Sequence, residues 1–328
     1  MVTQGLSDGF GRRFPYLRLS VTDVCNFKCA YCLPHGYKKA DGPSFLTRQE
    51  LTRLVRAFVG LGVWKVRLTG GEPTLREDFL ELVQDIRGIE GIKNIAFTTN
   101  GYRLPQRAAE YYAAGLRAIN ISIDSLQREN FHSITGHDRL LEVTDGVEAS
   151  LEAGFESVKI NTVLLKGMND QELGDFIEFV KTRPISLRFI ELMQTRDNKS
   201  FFDAHHLSGE TLVRFLQEQG WVVALPKEGA GPAVEFVHPN SMGKIGLIAP
   251  YSKDFCKTCN RLRVSSRGDL HLCLFGEGGI SLRDYLQEDR QIDLLQERIF
   301  SLLSYKRSTH FLAQGDSGST SHLAAIGG

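Results

Sequence analysis

The chain has 328 residues and a mass of 36.7 kDa, with 42% hydrophobic and 24% charged residues. That is the balance of a soluble globular protein, long enough for one large α/β domain or two ordinary ones, and it excludes disorder, collagen and coiled coil. Lys plus Arg and Asp plus Glu each number 39, so the basic excess of a general nucleic-acid binder is missing and any anion site has to be a local cluster.

No apolar run reaches the roughly 20 residues that span a bilayer. The start, Met1 to Asp8, has no apolar h-region. The expected compartment is therefore the cytoplasm, where thiols stay reduced.

In chain order, short apolar segments predict strands at Tyr16–Val21, Lys65–Leu68, Ile95–Thr98, Ala118–Ile123, Val158–Leu165 and Ser186–Leu192. Helical patterns lie between them. Thr47-Arg48-Gln49-Glu50 is a capping box opening a helix to about Leu61, with Leu51, Leu54, Val55 and Phe58 as its buried stripe. Arg76–Arg87, Pro105–Ala114, Leu141–Ala153, Asp170–Lys181 and Gly209–Gln219 read the same way. Gly62, Gly88, Gly115, Gly154 and Gly220 are expected as left-handed helix stops.

Six βα units in a row imply a parallel sheet. Polar residues gather after almost every strand: Asp23 with the cysteines, Thr69-Gly70-Gly71-Glu72, Thr98-Thr99-Asn100, Ser122 with Asp124, Glu191 with Met193. Such a ring favours an incomplete (βα)6 TIM-like barrel over a doubly wound sheet, which would gather them at one crevice.

After about Pro226 the texture changes. The loop Gly229-Ala230-Gly231-Pro232 leads into short strand candidates Val234–Val237, Ile245–Ile248, Leu262–Val264 and Leu270–Leu274, then a helix near Gln291–Leu303. The expected division is 1–228 for the barrel and 229–328 for a small β-rich extension carrying a second cluster.

Six cysteines in a reduced compartment suggest metal ligation or catalysis before disulfides. They form two sets of three: Cys25, Cys29 and Cys32, then Cys256, Cys259 and Cys273. Structural zinc wants four closed ligands, so His35 and His271 are the candidate fourth ligands under a zinc reading. A four-iron cluster takes one thiolate per iron, so three leave one iron open to a small molecule. Between the second-set ligands, Asn260-Arg261-Leu262-Arg263 on a strand turns both guanidiniums to one face and Leu262 to the other. Two guanidiniums there suit an anionic, nitrogen-rich substrate such as a nucleotide.

Cys-x3-Cys-x2-Cys with Tyr31 before the last cysteine resembles the radical S-adenosylmethionine superfamily. Thr69-Gly70-Gly71-Glu72-Pro73 resembles its GGEP loop. Over nearly the whole chain the motifs are similar to those of the GTP cyclases of molybdenum cofactor biosynthesis. These run from Tyr16-Leu17-Arg18-Leu19-Ser20 through Arg188-Phe189-Ile190-Glu191-Leu192-Met193 to the terminal Gly327-Gly328.

The resemblance implies two 4Fe-4S clusters, on Cys25, Cys29 and Cys32 and on Cys256, Cys259 and Cys273. It implies S-adenosylmethionine held by Tyr31, Gly71, Glu72, Ser122 and Met193. GTP would be bound by Arg18, Arg67, Thr98, Lys159, Arg261, Leu262 and Arg263, with Arg261 and Arg263 joining the first three cysteines in catalysis. The implied reaction converts GTP to (8S)-3′,8-cyclo-7,8-dihydroguanosine 5′-triphosphate. Implied partners are a reductant such as flavodoxin or ferredoxin, a downstream cyclic pyranopterin monophosphate synthase and a second copy in a homodimer, with no membrane and no nucleic acid. Without the resemblance, Lys159 and Arg188 read as ion-paired to Asp124 or Glu191. The terminal glycines are expected to thread into the pocket, where a side chain would clash.

Overall fold

The predicted βα alternation is present. A computed structural model describes residues 5–39, 42–225, 231–320 and 323–327; Gly229, Ala230 and Gly328 lie outside the described residues. The elements run β1 (Tyr16–Ser20), α1 (Arg48–Gly60), β2 (Lys65–Thr69), α2 (Phe79–Arg87), β3 (Asn94–Thr99), α3 (Leu104–Ala114), β4 (Ala118–Ser122), α4 (Arg128–Thr135), α5 (Leu140–Glu152), β5 (Ser157–Leu164), α6 (Leu173–Lys181) and β6 (Ser186–Glu191). They continue with α7 (Lys199–His205), α8 (Gly209–Glu218), β7 (Val222–Val223), β8 (Val234–Val237), β9 (Lys244–Ile248), β10 (Arg261–Val264), β11 (Asp269–His271), β12 (Ile280–Ser281) and α9 (Ile292–Leu302).

All twelve strands join one sheet in the order β12-β11-β10-β1-β2-β3-β4-β5-β6-β9-β8-β7. β1 to β6 are parallel neighbours in sequence order, and β10 and β9 add parallel strands at the two flanks. The expected β-rich extension therefore completes both sides of the same sheet, through the antiparallel β10–β11–β12 meander on one side and β9–β8–β7 on the other. Eight parallel strands laid flat would put β10 and β9 about 34 Å apart at the usual strand spacing. Yet side chains of β10 and the end of β9 line one cavity together with those of β1, β2, β4, β5 and β6. The sheet is curled around that cavity.

Each strand splits its residues between the two faces. In β5 the residues Val158, Ile160, Thr162 and Leu164 are buried toward the helices, while Lys159, Asn161 and Val163 face the interior. The outer layer is the main apolar core. The Leu51, Leu54, Val55 and Phe58 stripe of α1 is fully buried there, each side chain stabilising by roughly 1.5–3 kcal/mol. Thr47 makes the expected capping box with Glu50.

Four of the five expected glycine stops have positive φ; Gly88 stays right-handed at φ −72°, and Gly91 takes the left-handed turn three residues on. α2 starts later than expected because Arg76 leaves the helix. Its guanidinium bonds the Val21 and Leu46 carbonyls and pairs with Asp78. The strand expected at Leu270–Leu274 stops at His271, where the chain turns to bring Cys273 inward. α4 and α7 had no clear periodic signal. No helix among the described residues is long and apolar enough to cross a membrane.

Candidate active site

The interior has two chambers, and Asn161, Ile190 and Met193 line both. The upper chamber lies at the C-terminal strand ends. Cys25, Cys29, Cys32, Tyr31, Gly70, Gly71, Thr98, Ser122, Asp124 and Met193 are among its lining residues. The lower chamber lies toward the N-terminal strand ends. It gathers Cys256, Cys259, Cys273 and seven cations: Arg18, Lys65, Arg67, Lys159, Arg188, Arg261 and Arg263. No carboxylate lines it among the described residues.

The first cysteine loop is held from both sides. Lys28 and Ala30 donate backbone N–H bonds to Thr135 and Ile134 at the end of α4, and Phe27 stacks on His137 with ring centroids 4.8 Å apart. On the other side, Gly71 N–H bonds the Thr22 carbonyl (2.9 Å) and Glu72 N–H the Val24 carbonyl (2.7 Å). A Cβ at Gly70 would overlap the Thr22 carbonyl, and one at Gly71 would overlap those of Asp23 and Val24. The glycines thus let two loops lie backbone on backbone, as well as leaving room in the chamber.

Glu72, expected as a cofactor contact, is instead a fully buried brace. Its carboxylate accepts from the Thr74 N–H and hydroxyl, the Thr99 hydroxyl and the Asn100 N–H. With four donors satisfied inside the fold, only the neighbouring glycine backbone faces the chamber. Tyr31 donates its hydroxyl to Asp124 at 2.8 Å. Burial raises the Asp124 carboxyl to about 6 against the opposing Val163 N–H and Tyr31 bonds.

Burial lifts the Cys25 thiol to about 11 and the Cys32 thiol to about 12; Cys29 goes well above the usual range, with Asp124 and the adjacent thiols adding to the effect. Only a bound metal core would hold all three as thiolates. Among the described residues no three His, Cys, Asp or Glu side chains close on one metal ion. Three thiols per set, with one iron for each, suit a polynuclear core better than a zinc ion closed by four ligands. His35 is exposed and His271 packs against Gly279, so neither joins a triad.

The second triad sits on the loop before β10 and the turn after β11. The Cys256 carbonyl accepts from Arg12, whose guanidinium also bonds the carbonyls of Arg307 and Ser308 and pairs with the buried Asp8 at 2.7 Å. Burial would raise Cys256, but the neighbouring His310 and Thr309 bring it down to about 7.

The lower chamber is electrostatically unsatisfied without an anion. Burial, then repulsion from Arg188, Arg67 and Lys65, lowers Lys159 to about 7. Burial lowers Arg18 to about 10, and Arg263 falls well below the usual range. Burial acts against ionisation of Tyr16, yet Arg67, Arg18 and Arg261 bring its phenol down to about 7. Arg67 donates to the Tyr16 oxygen (2.7 Å) and the Phe97 carbonyl (2.9 Å), and reaches Thr98 at 3.4 Å.

Arg188 pairs with Glu235 at 3.7 Å rather than with Asp124 or Glu191; the latter bonds His206 at 2.9 Å. Leu262, expected among the substrate contacts, turns its side chain into the apolar core. Gly327 enters between two cations: its carbonyl accepts from Arg18 (3.2 Å) and from Arg263. A Cβ there would overlap Thr69. Tyr16, Lys65, Asn120, Asn161 and His310 were not anticipated. Tyr16 and Lys65 could have been found, since each is two residues before an expected ligand on the same strand face.

The motifs and the triad over the upper chamber define a radical S-adenosylmethionine enzyme: the Radical SAM superfamily model matches residues 19–180, and the Molybdenum Cofactor Synthesis C model matches 185–312. A Streptococcus suis SuiB structure bound to S-adenosylmethionine shares the fold at a TM-score of 0.61, with 14% identity over 86% of this chain and 68% of that one. The chain is 55% identical to the GTP 3′,8-cyclase of Aeromonas hydrophila, over 98% of this chain and 96% of the relative. It is 52% identical to that of Stenotrophomonas maltophilia, over 98% and 99%. It belongs to the GTP 3′,8-cyclase family.

Proposed function

We propose that the chain converts GTP to (8S)-3′,8-cyclo-7,8-dihydroguanosine 5′-triphosphate, the first step of molybdenum cofactor biosynthesis. The observation that carries this reading is the seven-cation chamber beside one thiol triad, opening onto a second chamber with another. The incomplete (βα)6 barrel, with 1–228 as its body and 229–328 as the extension, is the architecture we assign to it.

Cys25, Cys29 and Cys32 would hold one 4Fe-4S cluster and Cys256, Cys259 and Cys273 the other; Tyr31, Gly71, Ser122 and Met193 would hold S-adenosylmethionine. When bound, the first cluster and S-adenosylmethionine would supply one-electron radical chemistry directed at the ribose C3′–H bond.

The chain itself contributes placement. Arg18, Lys159, Arg261 and Arg263 offset the triphosphate charge and fix the nucleotide between chambers. Arg67, braced by Tyr16, and Thr98 sit where the chambers meet and orient the ribose. The Gly327 carbonyl holds Arg18 and Arg263 in register. The apolar Trp64, Phe255 and Phe275 exclude water and quenchers from the lower chamber. A flavodoxin- or ferredoxin-like reductant fits the electron demand, and a cyclic pyranopterin monophosphate synthase would consume the product.

Anaerobically reconstituted protein should carry about eight irons per chain and, with reductant and S-adenosylmethionine, release 5′-deoxyadenosine with GTP. Cys25→Ser should abolish that release and keep about four irons. Two zincs per chain, or undiminished 5′-deoxyadenosine from Cys25→Ser, would refute the reading.

A further inference from the structure

His310 is a half-buried ring with one buried nitrogen left unpaired among the described residues. It lines the lower chamber. Phe275 meets it edge-on with centroids 5.2 Å apart, and Phe255 lies 5.9 Å away on a tilted plane. These two rings fix its orientation. Its Nδ1 accepts the Leu312 backbone N–H at 3.4 Å. With Nδ1 accepting, the ring N–H lies on Nε2. That nitrogen is buried with no hydrogen-bond partner among the described residues.

A buried donor left unpaired is costly, so a native site keeps one where something else completes it. Sulfur is the acceptor at hand: Cys256 lines the same chamber and is next in sequence to Phe255, whose ring packs on His310, and His310 and Thr309 lower its thiol. The same loop is held rigid from behind by Arg12 on the Cys256 carbonyl. The donor and the sulfur are thus both pre-positioned.

Resting on the two-cluster reading above, we propose that His310 donates its Nε2 hydrogen bond to the sulfur of Cys256 in the cluster-loaded protein. Through that bond it sets the reduction potential of the second cluster. An N–H donor offsets negative charge on a ligating thiolate. It therefore favours the reduced core and raises the potential. His310 is a positioning and tuning residue: it reaches the nucleotide only through the cluster. None of the expected site residues included it, because an isolated His in a Ser-Thr-His-Phe stretch carries no spacing signal.

The test uses the full chain, reconstituted anaerobically, with Cys25, Cys29 and Cys32 changed to Ala so that a single cluster is read. Iron content, a redox titration and pulsed electron paramagnetic resonance with 15N-histidine are compared for this parent, His310→Phe and His310→Gln. The expected result is about four irons in the parent and a weak histidine-nitrogen coupling that His310→Phe removes. The potential should shift downward in His310→Phe and lie nearer the parent in His310→Gln, which keeps an N–H donor. If His310→Phe fails to load, the parent's coupling and the Gln variant's potential decide. A parent with no histidine coupling overturns the proposal, as does a potential unchanged in His310→Phe. A large coupling, as from iron-bound imidazole, overturns it too by making His310 a ligand. A parent that binds no iron at all refutes the two-cluster reading instead.

Discussion

At the scale of single residues, the lower chamber holds a lysine poised at the edge of losing its proton. Lys159 stands near 7 because it is buried among Arg188, Arg67 and Lys65. An arriving triphosphate raises it again, so below pH 7 the charge is already in place and above it binding must take up a proton. Tyr16, also near 7, works in the same direction, since its phenolate form adds a negative charge. The dissociation constant for GTP should rise between pH 7.5 and 9, by up to about tenfold per unit for Lys159 alone. Calorimetry in buffers of different ionisation heat should record the proton uptake. Lys159→Arg should flatten the slope.

Gly71→Ala is a second test at this scale. The added methyl meets the Asp23 and Val24 carbonyls, and the overpacking should cost about 1–3 kcal/mol, read as a lower melting temperature even before any cluster is loaded.

At the scale of elements, strands and ligands were legible and supports were not. The first six parallel strands lie within a residue or so of expectation, since short apolar runs between capped helices leave little choice. The cysteine triads announced themselves by spacing. α4 did not, because its eight residues are too few for a periodic stripe. Yet α4 holds the first cysteine loop through Thr135 and Ile134. Its own start is held by the buried Glu172, which bonds Ser125, the Leu126 N–H and Asn130. Glu72 is a related case: sequence shows a carboxylate beside two glycines but not the four donors that bond it.

The N-terminal segment makes a sharper case. Arg12 ties residues far apart in sequence, and Asp8 beside it is completely buried. Arg12→Ala would strand that carboxylate and should destabilise the fold by about 3–5 kcal/mol, measurable by denaturant titration. Removing Gly327 and Gly328 should leave the iron content unchanged while lowering turnover roughly 100-fold, the usual order for a misplaced nucleotide. Unchanged turnover would make the contact of Gly327 with Arg18 and Arg263 incidental.

At the scale of the whole molecule, the two halves of the sequence cannot be read as separate bodies. The extension supplies β9 to one flank of the parallel sheet and β10 to the other. That arrangement brings Arg261 and Arg263 into register with Tyr16 and Arg18. Sequence suggests the strands but not their partners, because a short apolar segment fits any open edge equally well. The resemblance named the residues of the site, while the topology explains why cations from opposite ends of the chain meet.

The pairing of β1 with β10 has a consequence for how the protein comes off the ribosome. β2 is translated soon after β1, but the other edge of β1 stays bare until residues 261–264 emerge, roughly 12–48 s later at ordinary elongation speeds. Throughout that interval the three thiols that follow β1 hang beside an open strand edge, exposed to oxygen and to stray neighbours. Delivery of iron to them is thus a race against the translation of most of the chain, and growth conditions that slow elongation should favour protein lacking its first cluster.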